Sequence, residues 1–234
     1  VIPFRYQRNT DTIGIEGQIK LLESCVAVIG AGGLGGNVVE LLARAGIGKL
    51  IVVDGDSFSE DNLNRQIIET EKNIGRNKVR ETRKRIRKVN CAVEIKIHAK
   101  PLGPGNARRI LAGADVAVDA LDTIPARLVL QNAASKTGIP LVSAAIAGFT
   151  GYVTTIMPGD MGWKAFYNNN AAPEAGIEKE IGNLGATPAL AAAIEVQEVI
   201  KIITGRGRAL RGRFLFFDTE HNAFSIIGVN SKDL

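Results

Sequence analysis

Cys25-Val26-Ala27-Val28-Ile29-Gly30-Ala31-Gly32-Gly33-Leu34-Gly35, followed after a helical stretch by Gly46-Ile47-Gly48 and Lys49-Leu50-Ile51-Val52-Val53-Asp54, is the part of the chain that decides its fold. The continuous apolar run Cys25 to Gly30 suits a short strand buried on both faces of a parallel sheet. From Leu34 to Ala45 the apolar residues fall at Leu34, Val38, Leu41, Leu42 and Ala45, which is helical spacing. Gly46 and Gly48 break that helix, and Lys49 to Asp54 reads as a second buried strand ending on a carboxylate. Together these segments form a βαβ unit.

Downstream the alternation continues. Lys78 to Val89 is a basic amphipathic helix with Val79, Thr82, Ile86 and Val89 on its inner face, and an alternating strand follows around Val93 to Ile97. Asn106 to Leu111 is a short helix, Asp115 to Ala120 a third buried strand, Ala126 to Lys136 a helix and Pro140 to Ala144 a fourth strand. Repeated strand–helix order predicts an α/β fold, a doubly wound, mostly parallel Rossmann-like sheet. After Gly148 the character changes: Gly151 to Ile156 reads as an edge strand, and about 28 residues rich in Gly, Asn and Pro run from Pro158 to Gly185. Thr187-Pro188 then opens a helix reaching Ile203, and strands over Arg213 to Asp218 and Asn222 to Gly228 pair antiparallel at the end.

With 234 residues, 45% apolar and 23% charged, the expectation is a single domain over 1–234. Its nucleotide-binding part covers about 20–150, and the crossover loop, last helix and last strands cover about 151–234. The net charge of +5 favours anionic partners. Much of that excess crowds into Arg76 to Lys88, whose plainer reading is a solvated helix face, since no aromatic residues are interleaved to stack bases. The two cysteines, Cys25 and Cys91, belong to no CxxC pair, so neither a disulfide framework nor a thiolate zinc site is expected. No apolar stretch reaches the roughly 18 residues of a membrane span, and no secretory signal opens the chain; a cytoplasmic location is the expectation.

The glycine loop follows a strand and opens a helix, so Gly30, Gly32, Gly33 and Gly35 would let backbone N–H groups approach a phosphate. A GxGxxG pattern with Asp54, 24 positions after Gly30, equally suits a dinucleotide dehydrogenase. What favours ATP is the next segment, where Asp56, Asp61, Asn62, Asn64, Arg65 and Gln66 crowd just past the second strand. Displacement at phosphorus is catalysed mainly by positioning and charge neutralisation. Arg65 can pair with phosphate oxygens in bidentate fashion, and Asn62 and Asn64 can donate without adding charge. Lys78, opening the basic helix, is either a point charge for the β/γ-phosphates or a surface lysine. Asp119 and Asp122 end the third strand, where open α/β sheets bind ligands; either could hold Mg²⁺, and Asp122, lying beyond the strand, is the better placed. There is no Walker A pattern, and the histidines, His98 and His221, are too far apart to suggest a triad.

These motifs, with Tyr6-Gln7-Arg8, Asp54-Gly55-Asp56, Asn62-Leu63-Asn64-Arg65-Gln66, Gly75 with Lys78, and Asp119-Ala120-Leu121-Asp122, resemble the MoeB/ThiF/HesA group of ubiquitin-activating-like adenylyltransferases over nearly the whole chain. The resemblance implies that Gly33 contacts the nucleotide, Asp54 holds the ribose, Asn62 and Arg65 bind phosphates, Lys78 neutralises the β/γ end and Asp122 positions Mg²⁺. It implies a homodimer in which Arg8 reaches the partner's ATP site. The reaction it implies is attack by the C-terminal glycine carboxylate of a small ubiquitin-like sulfur carrier, ending in Gly-Gly, on the α-phosphate. A carboxylate is already ionised at neutral pH and needs no base.

Three departures from the family pattern stand out. The paired CxxC zinc motifs are missing, no cysteine lies between Pro158 and Gly185 to carry a persulfide or thioester, and Thr123 replaces the asparagine that often follows the catalytic aspartate. Two further readings remain open from sequence. One is adenylation of a small-molecule or tRNA-linked carboxylate, as in the zinc-free dehydratase that cyclises threonylcarbamoyladenosine, and the other is an NAD(P)-binding oxidoreductase.

Overall fold

A computed structural model describes residues 1–165, 167 and 181–228. Eight strands form one sheet in the order β3-β2-β1-β4-β5-β6-β7-β8. These are β1 (Cys25–Ile29), β2 (Lys49–Val53), β3 (Glu94–His98), β4 (Val116–Asp119), β5 (Leu141–Ala147), β6 (Thr150–Ile156), β7 (Arg213–Asp218) and β8 (Ala223–Gly228). Pairings from β3 to β5 are parallel and those from β5 to β8 antiparallel. Every residue of β1 and of β4 is buried, which is why both appear in sequence as unbroken apolar runs. Side chains of β1 alternate between two cores: Val26 and Val28 join one layer of helices, Ala27 and Ile29 the other. Burying each of these valine and isoleucine side chains contributes about 1.5–3 kcal/mol.

The α-helices described over their full length are α1 (Gln7–Glu23), α2 (Gly33–Ala45), α3 (Lys78–Val89), α4 (Ala107–Leu111), α5 (Ile124–Thr137) and α6 (Ala186–Thr204). The first of them went unpredicted. Its mean pattern is polar, it is kinked at Gly14 where φ is +75°, and only Gly17, Gln18 and Leu21 are buried along it. Tertiary contacts hold it. Asn9 and Gln18 both donate to the Ala45 carbonyl, and a Cβ at Gly48 would lie 1.9 Å from the Leu22 carbonyl oxygen. The Gly46-Ile47-Gly48 break therefore serves the close passage of α1 as well as ending α2.

The sequence placed Gly151 to Ile156 at a sheet edge, but β6 lies between β5 and β7. Its alternate residues Val153 and Thr155 are buried, and the Thr155 hydroxyl donates to Glu198 of α6 at 2.7 Å. The β7–β8 hairpin, which reads as a terminal pair, covers what would have been that edge. Within the stretch expected to be a loop from Pro158 to Gly185, residues Gly162–Ala165 form a 3-10 turn around buried Trp163; residues 166 and 168–180 of that stretch lie outside the described residues. No helix among the described residues is long and apolar enough to cross a membrane.

Candidate active site

The carboxyl ends of β1, β2 and β4 open into a cavity of about 1090 Å³. Its floor is the glycine loop. Gly30 has φ +102°, and a Cβ there would lie 2.3 Å from the Ala120 carbonyl oxygen, so the loop is drawn tightly against the end of β4. Gly32 and Gly33 line the cavity. Gly35 does not; a Cβ on it would come within 2.0 Å of the Gly30 carbonyl oxygen, so its part is to let α2 start close to β1. No side chain caps α2, which leaves first-turn N–H groups facing the cavity.

Asp54 braces this floor. One carboxylate oxygen accepts from the Ala31 N–H and the other from the Asp56 N–H, each at 2.8 Å. Each oxygen retains a lone pair for a ligand hydroxyl.

The Asn62 to Gln66 segment builds one wall. Asn62 closes a 3-10 turn, is buried, and accepts from the Arg65 and Gln66 N–H groups through its carbonyl. The Arg65 guanidinium donates to the Asp61 carbonyl at 2.7 Å and to Asn64 Oδ1 at 2.8 Å, which fixes its base while it lines the cavity. Asn64 is committed differently from the phosphate-binding expectation, since its amide also donates to the Asn183 carbonyl at 3.1 Å. It thereby ties the segment before α6 across the cavity mouth, where Gly148 N–H donates to the Gly182 carbonyl at 2.8 Å. Asp61 lies outside the lining, and the Ser59 hydroxyl beside it holds its carboxyl below the usual range.

Lys78 stands at the first turn of α3, 8% exposed, with its ammonium 3.4 Å from Asp56 Oδ2. Of the two readings open in the sequence, the surface lysine is excluded; Arg80, Lys84, Arg87 and Lys88 of the same helix are exposed, and Val79, Thr82 and Ile86 are buried as expected. Asp119 and Asp122 part company. Asp119 is fully buried and its oxygens take donors from Leu121 N–H at 3.1 Å, Ser143 Oγ at 2.6 Å and Arg127 Nη1 at 3.4 Å. Asp122 is exposed to the cavity. Thr123, which also lines it, precedes α5 without a side-chain cap bond. Arg8 is not part of the lining; its side chain is 97% exposed and pairs only loosely with Asp11 at 3.7 Å.

Three contributors were given no role by the sequence. Arg127 lies on a helix where an arginine reads as solvated, yet it is buried and lines the cavity. Gln66, quoted in the motif but given no task, has its Oε1 buried without a partner among the described residues. Asn183 arrives from a stretch read only as loop.

Residues 6–233 match the ThiF family. The chain belongs to that family. Relatives include the SAMP-activating enzyme E1 of Haloferax volcanii, 36% identical over 228 residues, with 95% of this chain and 84% of that protein covered. The adenylyltransferase and sulfurtransferase MOCS3 of Drosophila sechellia is 35% identical over 232 residues, covering 97% of this chain and 51% of that protein. The maize protein MOCS3-2 is 36% identical, with 92% and 45% covered. The chain thus spans about half the length of the MOCS3 relatives. Among solved structures, Escherichia coli MccB with AMPCPP and MccA superposes with a TM-score of 0.84 at 21% identity, covering 98% of this chain and 73% of that one. PaaA superposes at 0.82 and 20% identity, with 96% and 72% covered. These two establish the fold. Membership of the ThiF family agrees with the adenylyltransferase reading of the motifs and removes the ground for an oxidoreductase.

Proposed function

We propose that the cavity binds ATP and that the chain is an ATP-dependent adenylyltransferase acting on the C-terminal glycine carboxylate of a small ubiquitin-like sulfur carrier. The observation that carries this is the convergence on one cavity of a glycine floor, Arg65 and Lys78 as cations, and Asp122 as an exposed carboxylate. An NAD site needs no cations beyond the acid that ends β2, and in an NADP site, where cations past β2 hold the 2′-phosphate, the Asp54 carboxylate would repel it. The relatives named for SAMP activation and for adenylyl transfer support the substrate class.

In this reading Asp54 takes the ribose hydroxyls, with its orientation set by the two backbone donors. Gly32 and Gly33 let the phosphates approach the start of α2. Arg65 and Lys78 balance the charge that builds on the departing pyrophosphate. Asp122 fits the ATP-borne Mg²⁺, because its carboxylate is exposed to the cavity, whereas Asp119 is fully buried among its own donors; bound there, the ion would neutralise phosphate charge. An oxygen of the carrier carboxylate attacks the α-phosphorus as the bond to the β-phosphate oxygen breaks, giving acyl-adenylate and pyrophosphate. No proton moves, so no general base is needed.

Arg8 is exposed and outside the cavity, which suits a homodimer in which it completes the partner's site. The sulfurtransferase activity in the MOCS3 names is not carried over, because the chain spans only half of those proteins. Exchange of labelled pyrophosphate into ATP, dependent on a Gly-Gly-ending carrier encoded beside this gene, tests the proposal. Absence of exchange with every such carrier would remove it.

The exposed basic face of α3, which begins at Lys78 on the cavity wall, favours one second reading, a tRNA-linked carboxylate as substrate. Steeply salt-dependent tRNA binding would support it.

A further inference from the structure

Beneath Asp122 lies a closed ring of four side chains. Ser143 Oγ donates to Asp119 Oδ2 at 2.6 Å and accepts from Trp163 Nε1 at 3.0 Å. The Arg127 guanidinium lies 5.7 Å from the centre of the Trp163 ring and 3.4 Å from Asp119 Oδ2. Asp119 and Ser143 are fully buried, and Trp163 and Arg127 nearly so. Such a desolvated arginine would be costly unless its donors were placed, and they are: Nη2 donates to the Leu121 carbonyl at 2.5 Å and Nη1 to the Ala144 carbonyl at 2.7 Å.

Those bonds bear on the two residues flanking Asp122. Leu121 is held on both sides of its Cα, its N–H by Asp119 and its carbonyl by Arg127. On the other side, the Thr123 carbonyl accepts from the Arg127 backbone N–H at 3.1 Å. Among the described residues Asp122 itself has no such tether, so the place from which its carboxylate enters the cavity is set by the backbone of its neighbours. The same guanidinium reaches β5 through Ala144. Through Trp163 it reaches the segment after β6, where Gln131 receives the Trp163 N–H at 2.8 Å and donates to the Met161 carbonyl at 2.6 Å.

We infer that Arg127 is a positioning residue: through the Leu121 carbonyl its guanidinium sets the backbone that carries the Asp122 carboxylate into the cavity, and the Asp119–Ser143–Trp163 ring holds Arg127 in place. The inference rests on the cavity being a Mg·ATP site. Arg127 touches neither nucleotide nor metal in this account. Its effect is on how well the site distinguishes ATP carrying Mg²⁺ from ATP without it, much as residues behind metal ligands tune metal affinity by about 10–100-fold.

Trp163 is the single tryptophan of the chain, so its fluorescence reports directly on the ring. The test titrates the full chain with ATP in excess EDTA and with ATP in Mg²⁺, reading affinity by calorimetry and the ring by Trp163 emission. Wild type is expected to bind Mg·ATP more tightly than metal-free ATP, and Asp122→Asn to lose that difference. Arg127→Lys keeps the buried charge but cannot reach the Leu121 and Ala144 carbonyls together; it should lose about tenfold or more of the Mg²⁺ enhancement while metal-free ATP binds as to wild type. Should Arg127→Lys not fold, Asp119→Asn with Arg127→Gln removes both charges together, and the same loss is expected. A wild-type Mg²⁺ enhancement in whichever of these folds overturns the inference and leaves the proposed function standing. Failure of the wild type to bind Mg·ATP at all overturns both.

Discussion

Lys78 and Asp56 form an ion pair that is buried on one side only: the Lys78 side chain is 10% exposed and that of Asp56 75%. In the proposed ATP site the two ends would therefore have different fates on phosphate binding. Asp56 can swing into water at little cost, whereas Lys78 is held beside the cavity by its own backbone N–H bond to the Asp56 carbonyl at 3.0 Å. An exposed partner of this kind adds little stability.

Replacing Lys78 by Ala is accordingly expected to reduce pyrophosphate exchange by about 100-fold or more, with the thermal midpoint nearly unchanged. Asp56→Asn should leave exchange largely intact, since it removes only the pair that the phosphate displaces. Equal losses in the two variants, measured side by side, would show that the pair works as a unit.

Gly32 and Gly35 belong to one motif but should fail in different ways. The nearest atom to a Cβ at Gly32 is Gln66 Nε2 at 3.8 Å, while at Gly35 it is the Gly30 carbonyl oxygen at 2.0 Å. Gly35→Ala should destabilise the domain by several kcal/mol, about 3 or more, because backbone must shift. Gly32→Ala should fold and melt like wild type yet weaken ATP binding, as its methyl occupies the phosphate approach. Denaturant melts alongside ATP calorimetry separate the two.

Glu195 of α6 is fully buried, and neither carboxylate oxygen has a hydrogen-bond partner among the described residues. Burial pushes its carboxyl well above the usual value of 4.5; the nearby Asp119 charge adds to this, and the Arg127 charge opposes it. The folded state then keeps a proton that the unfolded state releases, so stability falls as pH rises above about 4.5, at most about 1.4 kcal/mol per pH unit, until the folded group itself ionises. Glu195→Gln carries no such proton. Its melting temperature relative to wild type should climb between about pH 5 and pH 8, and a difference that stays flat would contradict the protonated assignment.

Arg8→Ala should melt as wild type does, within about 0.5 kcal/mol, since an exposed side chain loosely paired to Asp11 contributes little. If Arg8 completes the partner's site, the variant is nonetheless inactive in exchange. Mixing it with inactive Lys78→Ala under conditions of subunit exchange then restores part of the activity, because one site of each mixed dimer receives an intact Lys78 and an intact Arg8. No recovery on mixing would place Arg8 outside any shared site.

The buried strands were legible because burial on both faces writes itself locally, as runs such as Val26 to Ile29 and Val116 to Val118. The glycine loop and the Asn62 to Gln66 wall could be read for the same reason: each is contiguous, and its residue types suit one task. By itself, then, the sequence determined a doubly wound sheet, a glycine loop at the first helix, and the family. Other features depended on residues far apart in the chain. The sheet position of β6 needed the β7–β8 hairpin, and α1 needed the Ala45 carbonyl and the gap at Gly48. The choice between Asp119 and Asp122 needed Ser143, 24 residues on, and Arg127, which no local pattern marks as buried. A carboxylate is consumed or left available according to which donors surround it, and those donors converge only once the sheet and its helices have packed.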